Sequence, residues 1–141
     1  PQGFHERFSL EEQLGAGAFG RVYLAKPLGC SGKEEIAVKV VSRRQSRLRS
    51  RLPDRLHRRL TRRGDDEVAI LRALPASEHL VRFCDSFEEE GVTYIVMERC
   101  TMGFERLLER MPNPTEEMMK AFFADMLTGI SACHSAGIVH R

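Results

Sequence analysis

The feature that most constrains the fold is a glycine-rich stretch between two runs of strand-forming residues. Phe8–Leu14 and Arg21–Ala25 have the composition of β-strands, and the segment between them reads Gly-Ala-Gly-Ala-Phe-Gly. Two strands joined by so short a segment predict a hairpin. A dinucleotide-binding fold uses similarly spaced glycines, but it needs a helix directly after them, whereas a strand follows here. The hairpin tip is therefore either a simple turn or a loop whose backbone N–H groups close over phosphates.

The middle of the chain continues with strands and a single helix. An apolar strand is predicted at Ile36–Val41, and a helix at Asp66–Leu74 that ends before Pro75. Two more strands follow at Leu80–Phe87 and Val92–Glu98, joined by a turn. Strands that come before a helical region, with one helix inserted after the third strand, indicate an α+β protein rather than one with alternating strands and helices.

Two helices are predicted in the last third of the chain. The first covers Phe104–Met111. The second begins near Asn113, which can cap it, with Pro114 in the first helical position, and it ends at Gly137. The second helix carries apolar residues that would lack most of their partners in an isolated chain, so we expect poor solubility. These residues are Phe122, Phe123, Met126, Leu127 and Ile130.

A lysine within an apolar strand is the first candidate for a functional residue. Lys39 interrupts the run Ile-Ala-Val-Lys-Val-Val, where an unpaired ammonium group is costly to bury. It either reaches water from an edge strand or binds an anion. Glu67 is the natural partner, because it shares a helix stripe with Ile70, Leu71 and Leu74, and that stripe must face the sheet to be buried.

Composition limits the class of protein. Ten of the 22 basic residues are arginines within Arg43–Arg63, while the rest of the chain carries 12 basic and 19 acidic residues. The four cysteines form no Cys-x-x-Cys pair and have no histidine at ligand spacing, so no metal site and no disulfide framework is predicted. No apolar run is long enough to span a membrane. We expect reduced thiols in an intracellular, cytoplasmic protein.

Five motifs, in order and at family spacing, make the sequence resemble the N-terminal part of a eukaryotic protein kinase domain. Gly15–Val22 fits the glycine-rich loop, Ile36–Lys39 fits the third-strand lysine motif, and Glu67–Leu71 fits the helix that carries the paired glutamate. Tyr94–Glu98 fits the fifth strand before the hinge, and His134–Arg141 fits the approach to the His-Arg-Asp catalytic loop. The match covers nearly the whole chain, apart from a longer basic insertion.

The resemblance implies a protein-kinase-like α+β fold. A five-stranded antiparallel sheet with one regulatory helix would form an ATP-binding N-terminal lobe over residues 8–99, with the basic insertion at 42–64. Residues 100–141 would form the hinge and the first helices of an incomplete helical lobe. The catalytic aspartate and the ligands of Mg²⁺ would lie beyond Arg141, so we expect a polypeptide of these 141 residues alone to be inactive.

The resemblance also implies roles for single residues. Lys39 would hold the α- and β-phosphates of ATP and pair with Glu67. Met97 would be the gatekeeper at the back of the pocket, and Glu105, rather than Phe104, would contact the ribose. The remaining expected ATP-binding residues are Gly15, Ala16, Gly17, Ala18, Phe19 and Gly20 over the phosphates, Leu14, Val22 and Ala37 over the adenine, and Glu98 and Cys100 with their backbone at the adenine edge.

The expected partners are ATP and a protein substrate. The frequency of serine/threonine kinases in the family favours that specificity. The alternative to an active kinase is a pseudokinase, a non-catalytic nucleotide-binding or scaffolding module. The basic insertion admits three interpretations: a solvated extension, a basic amphipathic helix that binds an anionic surface or a calmodulin-like regulator, or a site of regulatory phosphorylation at Ser46 or Thr61. Few aromatic residues interleave the arginines, so nucleic-acid binding is not expected.

Overall fold

The computed structural model describes residues 2–17, 20–29, 35–42 and 63–139, with side chains from residue 66 onward in the last range. Two of the expected loop residues, Ala18 and Phe19, and most of the basic insertion therefore lie outside the described residues. The chain divides into two compact units. The first consists of Pro1–Arg72 and Phe83–Arg99, and the second of Ala73–Arg82 and Cys100–Arg141.

The first unit contains the predicted five-stranded sheet, in which every neighbouring pair of strands is antiparallel. The order across the sheet is β1-β2-β3-β5-β4, so the last two strands form a hairpin whose second strand lies beside β3. The strands are β1 at Phe8–Gly17, β2 at Gly20–Pro27, β3 at Ile36–Ser42, β4 at Phe83–Glu89 and β5 at Val92–Glu98.

The glycine-rich stretch is more regular than a simple hairpin tip. Strand β1 continues through the first two glycines, and Gly15 pairs with Val22 while Gly17 pairs with Gly20. The register shifts between Leu10 and Gln13 and again between Gln13 and Gly15. Because a ladder uses only backbone groups, glycines can continue it, which a prediction from side-chain composition does not anticipate.

The two faces of the sheet differ in chemistry. Residues directly opposite each other in an antiparallel ladder point to the same side. One face carries the main core cluster, and the other face carries Lys39. The core cluster consists of Phe4, Phe8, Ala25, Ile36, Val38, Tyr94 and Val96.

A short N-terminal helix, α1 (Phe4–Arg7), covers the core face and was not predicted, because four residues are too few to show a helical period. The buried Phe4 ring stacks on Tyr94 with centroids 4.3 Å apart and also contacts Phe8 and Phe87. The N–H of Phe4 donates to the Glu89 carboxylate. Aromatic packing and this capping contact hold α1 against the sheet.

Further polar contacts surround the aromatic cluster. Arg7 forms an ion pair with Asp85 at 2.7 Å, and its guanidinium lies 5.2 Å from the Phe8 ring centroid. The Tyr94 hydroxyl lies 3.2 Å from Nε2 of His5. Burial, together with the nearby glutamate carboxylates of the β4–β5 turn, raises the pKa of Tyr94 above 10.0, its ordinary value, so the buried ring stays neutral at physiological pH.

Helix α2 (Arg63–Ala73) lies in the first unit except for its last residue. The prediction that its whole apolar stripe faces the sheet is wrong for Ile70, whose side chain is 45% exposed. Glu67 and Arg72 both contact the sheet and lie about 140° apart around the helix at 3.6 residues per turn. Ile70 falls outside the arc between them, which explains its exposure.

The second unit contains helices α3 (Phe104–Glu109) and α4 (Glu116–Ser135). The prediction that Asn113 caps α4 is wrong: Thr115 is the N-cap, and its hydroxyl accepts a hydrogen bond from the N–H of Met118 at 3.2 Å. Asn113 and Pro114 lie outside the helix, which begins at Glu116. The end is as predicted, with Gly137 at φ +73° and Ile138 N–H bonded to Cys133 O.

The predicted apolar stripe of α4 is largely exposed within the second unit. Leu127 is 63% exposed, and Phe123, Met126 and Ile130 are also exposed, while Phe122 packs against the Phe104 ring at 5.5 Å. Gly129, the buried residue of α4, lies against the backbone of residue 79, where an added Cβ would come within 2.7 Å of a carbonyl oxygen. No helix in the described part of the chain is both long and apolar enough to cross a membrane.

We predict that Phe4→Ala destabilises the first unit by about 3–5 kcal/mol, since it removes a buried ring from the aromatic cluster. The measurement is the free energy of unfolding in denaturant, followed by a probe in the sheet. Phe123→Ala is the matched control, because its ring is 54% exposed. An equal decrease in the free energy of unfolding for the two variants would show that α1 does not stabilise the sheet.

We predict that Gly20→Ala destabilises the protein by about 1–3 kcal/mol, while Gly17→Ala changes its stability by less than about 0.5 kcal/mol. Gly20 has φ +145°, and an added Cβ would lie 2.6 Å from the carbonyl oxygen of Val40. A Cβ on Gly17 meets no atom within 4 Å. Thermal or denaturant unfolding of both variants measures the difference in stability. A Gly20→Ala variant as stable as the parent protein would contradict the described backbone at Gly20.

Candidate functional site

The predicted contact between Lys39 and Glu67 is present. Lys39 Nζ donates to Glu67 Oε1 at 2.6 Å, across 28 positions of sequence. The lysine side chain is 20% exposed and the glutamate side chain 31%, so the pair is partly shielded from water. The carboxylate offsets the cost of placing an ammonium group on the central part of the sheet, and the edge-strand alternative does not apply because β3 lies between β2 and β5.

Strand register brings apolar residues of the expected site beside Lys39. Val22 pairs with Lys39, so both side chains lie on one face of the sheet. Ala37 pairs with Met97 and lies on that same face, two residues before Lys39. Ala37 is buried, and Val22 and Met97 are half-buried. The ammonium group is thus adjoined by a small apolar surface, which suits a flat apolar ring.

The glycine-rich hairpin leaves its backbone accessible. Gly15 and Gly17 have open space where a Cβ would lie, with no atom within 4 Å. Ala16, on the same strand, is exposed, and Leu14 before it is 42% exposed. Backbone N–H groups without neighbouring side chains can approach a phosphate closely. Gly20 instead lies tightly against β3, which anchors the base of the hairpin.

The other expected residues fall at or beyond the end of β5. Glu98 is the last residue of β5, pairs with Ile36 and is half-buried. Cys100 and Glu105 belong to the second unit, where both are exposed and Glu105 lies in the first turn of α3. The alternative ribose residue, Phe104, packs its ring against Phe122.

Two contacts near the site were not anticipated from the sequence. Arg72 on α2 donates to the Ser86 hydroxyl at 3.0 Å, and its guanidinium lies 5.6 Å from the Phe83 ring centroid. Arg99 forms an ion pair with Glu35, which joins the end of β5 to the start of β3. No sequence pattern signals either contact, because the partners are distant in sequence and become neighbours only when the sheet and α2 pack together.

The arrangement can bind a phosphate-bearing ligand with an apolar ring. The ammonium group of Lys39 supplies positive charge, and the open backbone of the glycine-rich hairpin supplies N–H donors. Within the described ranges, no three His, Cys, Asp or Glu side chains form a group that could hold a metal ion.

Comparison with known proteins agrees with the geometry. The family model described as protein kinase domain matches residues 8–141. The chain is 36% identical over 141 residues to a CDPK-related protein kinase of Daucus carota. The aligned region covers 98% of this chain and 22% of that protein.

Two other relatives give similar values. CDPK-related kinase 5 of Arabidopsis thaliana is 34% identical over 143 residues, which is 99% of this chain and 22% of that protein. Calcium-dependent protein kinase 16 of Oryza sativa subsp. japonica is 34% identical over 141 residues, which is 99% of this chain and 24% of that protein. The chain spans about a quarter or less of the length of these curated relatives. With the motif order, the five-stranded sheet and the lysine–glutamate pair, these matches place the chain in the protein kinase domain family.

Proposed function

We propose that the chain is the ATP-binding part of a protein kinase that transfers the γ-phosphate of ATP to serine or threonine hydroxyls of proteins. The observation that carries the proposal is the 2.6 Å contact between Lys39 and Glu67, beside the glycine-rich hairpin of the sheet. The names of the relatives, which are kinases and calcium-dependent protein kinases, support the same activity.

The phosphates of ATP would be held by two parts of the first unit. The Lys39 ammonium group binds the α- and β-phosphates while Glu67 fixes its position. Backbone N–H groups of the hairpin from Gly15 to Gly20 close over the phosphates, which the open space at Gly15 and Gly17 supports. Ala18 and Phe19 belong to this loop by resemblance.

The nucleoside would be bound by apolar side chains and by backbone groups. Leu14, Val22 and Ala37 cover the adenine, and Met97 limits the depth of the pocket. The backbone of Glu98 and Cys100 hydrogen-bonds the adenine edge, by resemblance to the family. Glu105 contacts the ribose, and the engagement of the Phe104 ring with Phe122 supports this choice over Phe104.

We propose a division of the chain into an ATP-binding lobe at residues 8–99 and a hinge with helical segments at 100–141. Mg²⁺ would neutralise phosphate charge when bound, and by resemblance to the family its ligands would follow Arg141. A cytoplasmic location is also proposed, because the cysteine spacing in the sequence indicates neither a disulfide framework nor a zinc site.

We predict that Lys39→Met weakens ATP binding by about tenfold to a hundredfold, because it removes a charge-assisted hydrogen bond to phosphate. Competition of ATP with a fluorescent nucleotide measures the dissociation constant. Lys120→Met is the matched control, since the Lys120 ammonium pairs with Glu116 on the surface of α4 and should not affect binding.

An unchanged ATP affinity in Lys39→Met would contradict the proposed site.

Phosphate transfer is a separate readout. A polypeptide of these 141 residues should not label a protein substrate with radioactive phosphate, and Lys39-dependent labelling by it would overturn that expectation. Lys39-dependent transfer by the longer protein would favour a kinase, and ATP binding without transfer would favour the pseudokinase alternative.

We further propose that the basic insertion at 43–63 contacts an anionic surface or an acidic regulator. Its ten arginines and single acid support the proposal, since each basic residue near an anionic membrane contributes about 1 kcal/mol. The insertion lies almost wholly outside the described residues, so its conformation plays no part in the argument. The alternatives are a solvated extension and a site of regulatory phosphorylation at Ser46 or Thr61.

We predict that the protein binds phosphatidylserine-containing vesicles at low salt and releases them at high salt, since screening weakens the attraction. Co-sedimentation measures the bound fraction, with phosphatidylcholine vesicles as the neutral control. Deletion of residues 43–63 should abolish binding. If the deletion variant binds as well as the parent, or if neither binds, the insertion does not contact an anionic membrane surface.

A further inference from the structure

The helix that carries Glu67 is joined to the sheet at a second point. Arg72, five residues later on α2, donates from Nη2 to the Ser86 hydroxyl at 3.0 Å. The same guanidinium lies 5.6 Å from the centroid of the Phe83 ring, within the range of a cation–π interaction. Both partners belong to β4, two strands away from the β3 strand that carries Lys39.

Strand register shows that the two attachment points lie in one row across the sheet. Ser86 pairs with Ile95, Ile95 pairs with Lys39, and Lys39 pairs with Val22. Directly paired residues share a face, so the Ser86 hydroxyl and the Lys39 ammonium group lie on the same side of the sheet. Phe83, paired with Met97, lies on that side as well.

The rise along α2 from Glu67 to Arg72 is close to the distance across the sheet from Lys39 to Ser86. Two strand intervals span about 9.6 Å. Five residues of α-helix advance about 7.5 Å, and the length of the two side chains covers the remainder. Helix α2 therefore runs across the strands with Glu67 above β3 and Arg72 above β4. Removing either contact leaves one attachment point, about which the helix can pivot.

We propose that Arg72 is a positioning residue that keeps Glu67 within reach of Lys39, an inference that rests on the proposed function. Arg72 does not touch the nucleotide. It acts through α2: the Arg72–Ser86 contact holds the helix near the sheet, so that the Glu67 carboxylate stays beside the ammonium group. Ser86 is itself held in place: its N–H donates to Asp85 Oδ1 at 2.8 Å, and Asp85 pairs with Arg7.

We predict that Arg72→Met weakens ATP binding by about two- to fivefold, the size expected from losing a partly exposed cation–π contact. Methionine keeps an apolar stem over Phe83 but has no donor for Ser86. Ser86→Ala removes the acceptor alone and should weaken binding in the same direction. Arg106→Met, which replaces an exposed arginine on α3, is the matched control and should leave the affinity unchanged.

A double-mutant cycle separates positioning from a general loss of stability. In a Glu67→Gln background, Arg72→Met should have no further effect on ATP affinity, while its effect on the unfolding midpoint should be the same in both backgrounds. If Arg72→Met weakens ATP binding equally in the parent protein and in the Glu67→Gln variant, or in neither, the inference is overturned. If instead Lys39→Met and Glu67→Gln both leave ATP affinity unchanged, the proposed function itself fails.

Discussion

The ion pair between Lys39 on β3 and Glu67 on α2 joins the helix to the sheet at the proposed phosphate site. An ammonium group on the interior of a sheet needs a negative partner, and Glu67 supplies it at 2.6 Å. The pair retains partial exposure, so the ammonium group has donors left for a second anion. The position of α2 and the proposed ATP site therefore depend on the same contact.

The sheet can carry this polar pair because its two faces are built differently. The opposite face packs Phe4, Phe8, Val38, Tyr94 and Val96 into an aromatic and aliphatic core that the short helix α1 covers. That core supplies hydrophobic stabilisation on one side only. The other face buries Ile95 and Ala37 beside Lys39 and meets α2, so the main core cluster and the proposed ATP site lie on opposite faces of the sheet.

Much of the first unit could be predicted from the sequence, because strand composition, glycine spacing and an isolated lysine are local signals. The Lys39–Glu67 contact followed from a buried charge that needs a partner. Other features depend on packing that no local pattern encodes. Phe4 lies in a four-residue helix, Ile70 lies outside the arc that meets the sheet, and Arg72 meets Ser86 only through the β4–β5 register. Asn113 and Thr115 are both residue types that cap helices, so the local pattern does not distinguish them as the N-cap of α4.

A structure of the protein with a bound non-hydrolysable ATP analogue tests the central claim most directly. We expect Lys39 Nζ to lie within hydrogen-bond distance of both Glu67 Oε1 and an oxygen of the α- or β-phosphate, with the glycine-rich hairpin over the phosphates. A nucleotide bound with its phosphates away from Lys39, or a Lys39 side chain separated from Glu67 in the complex, would contradict it.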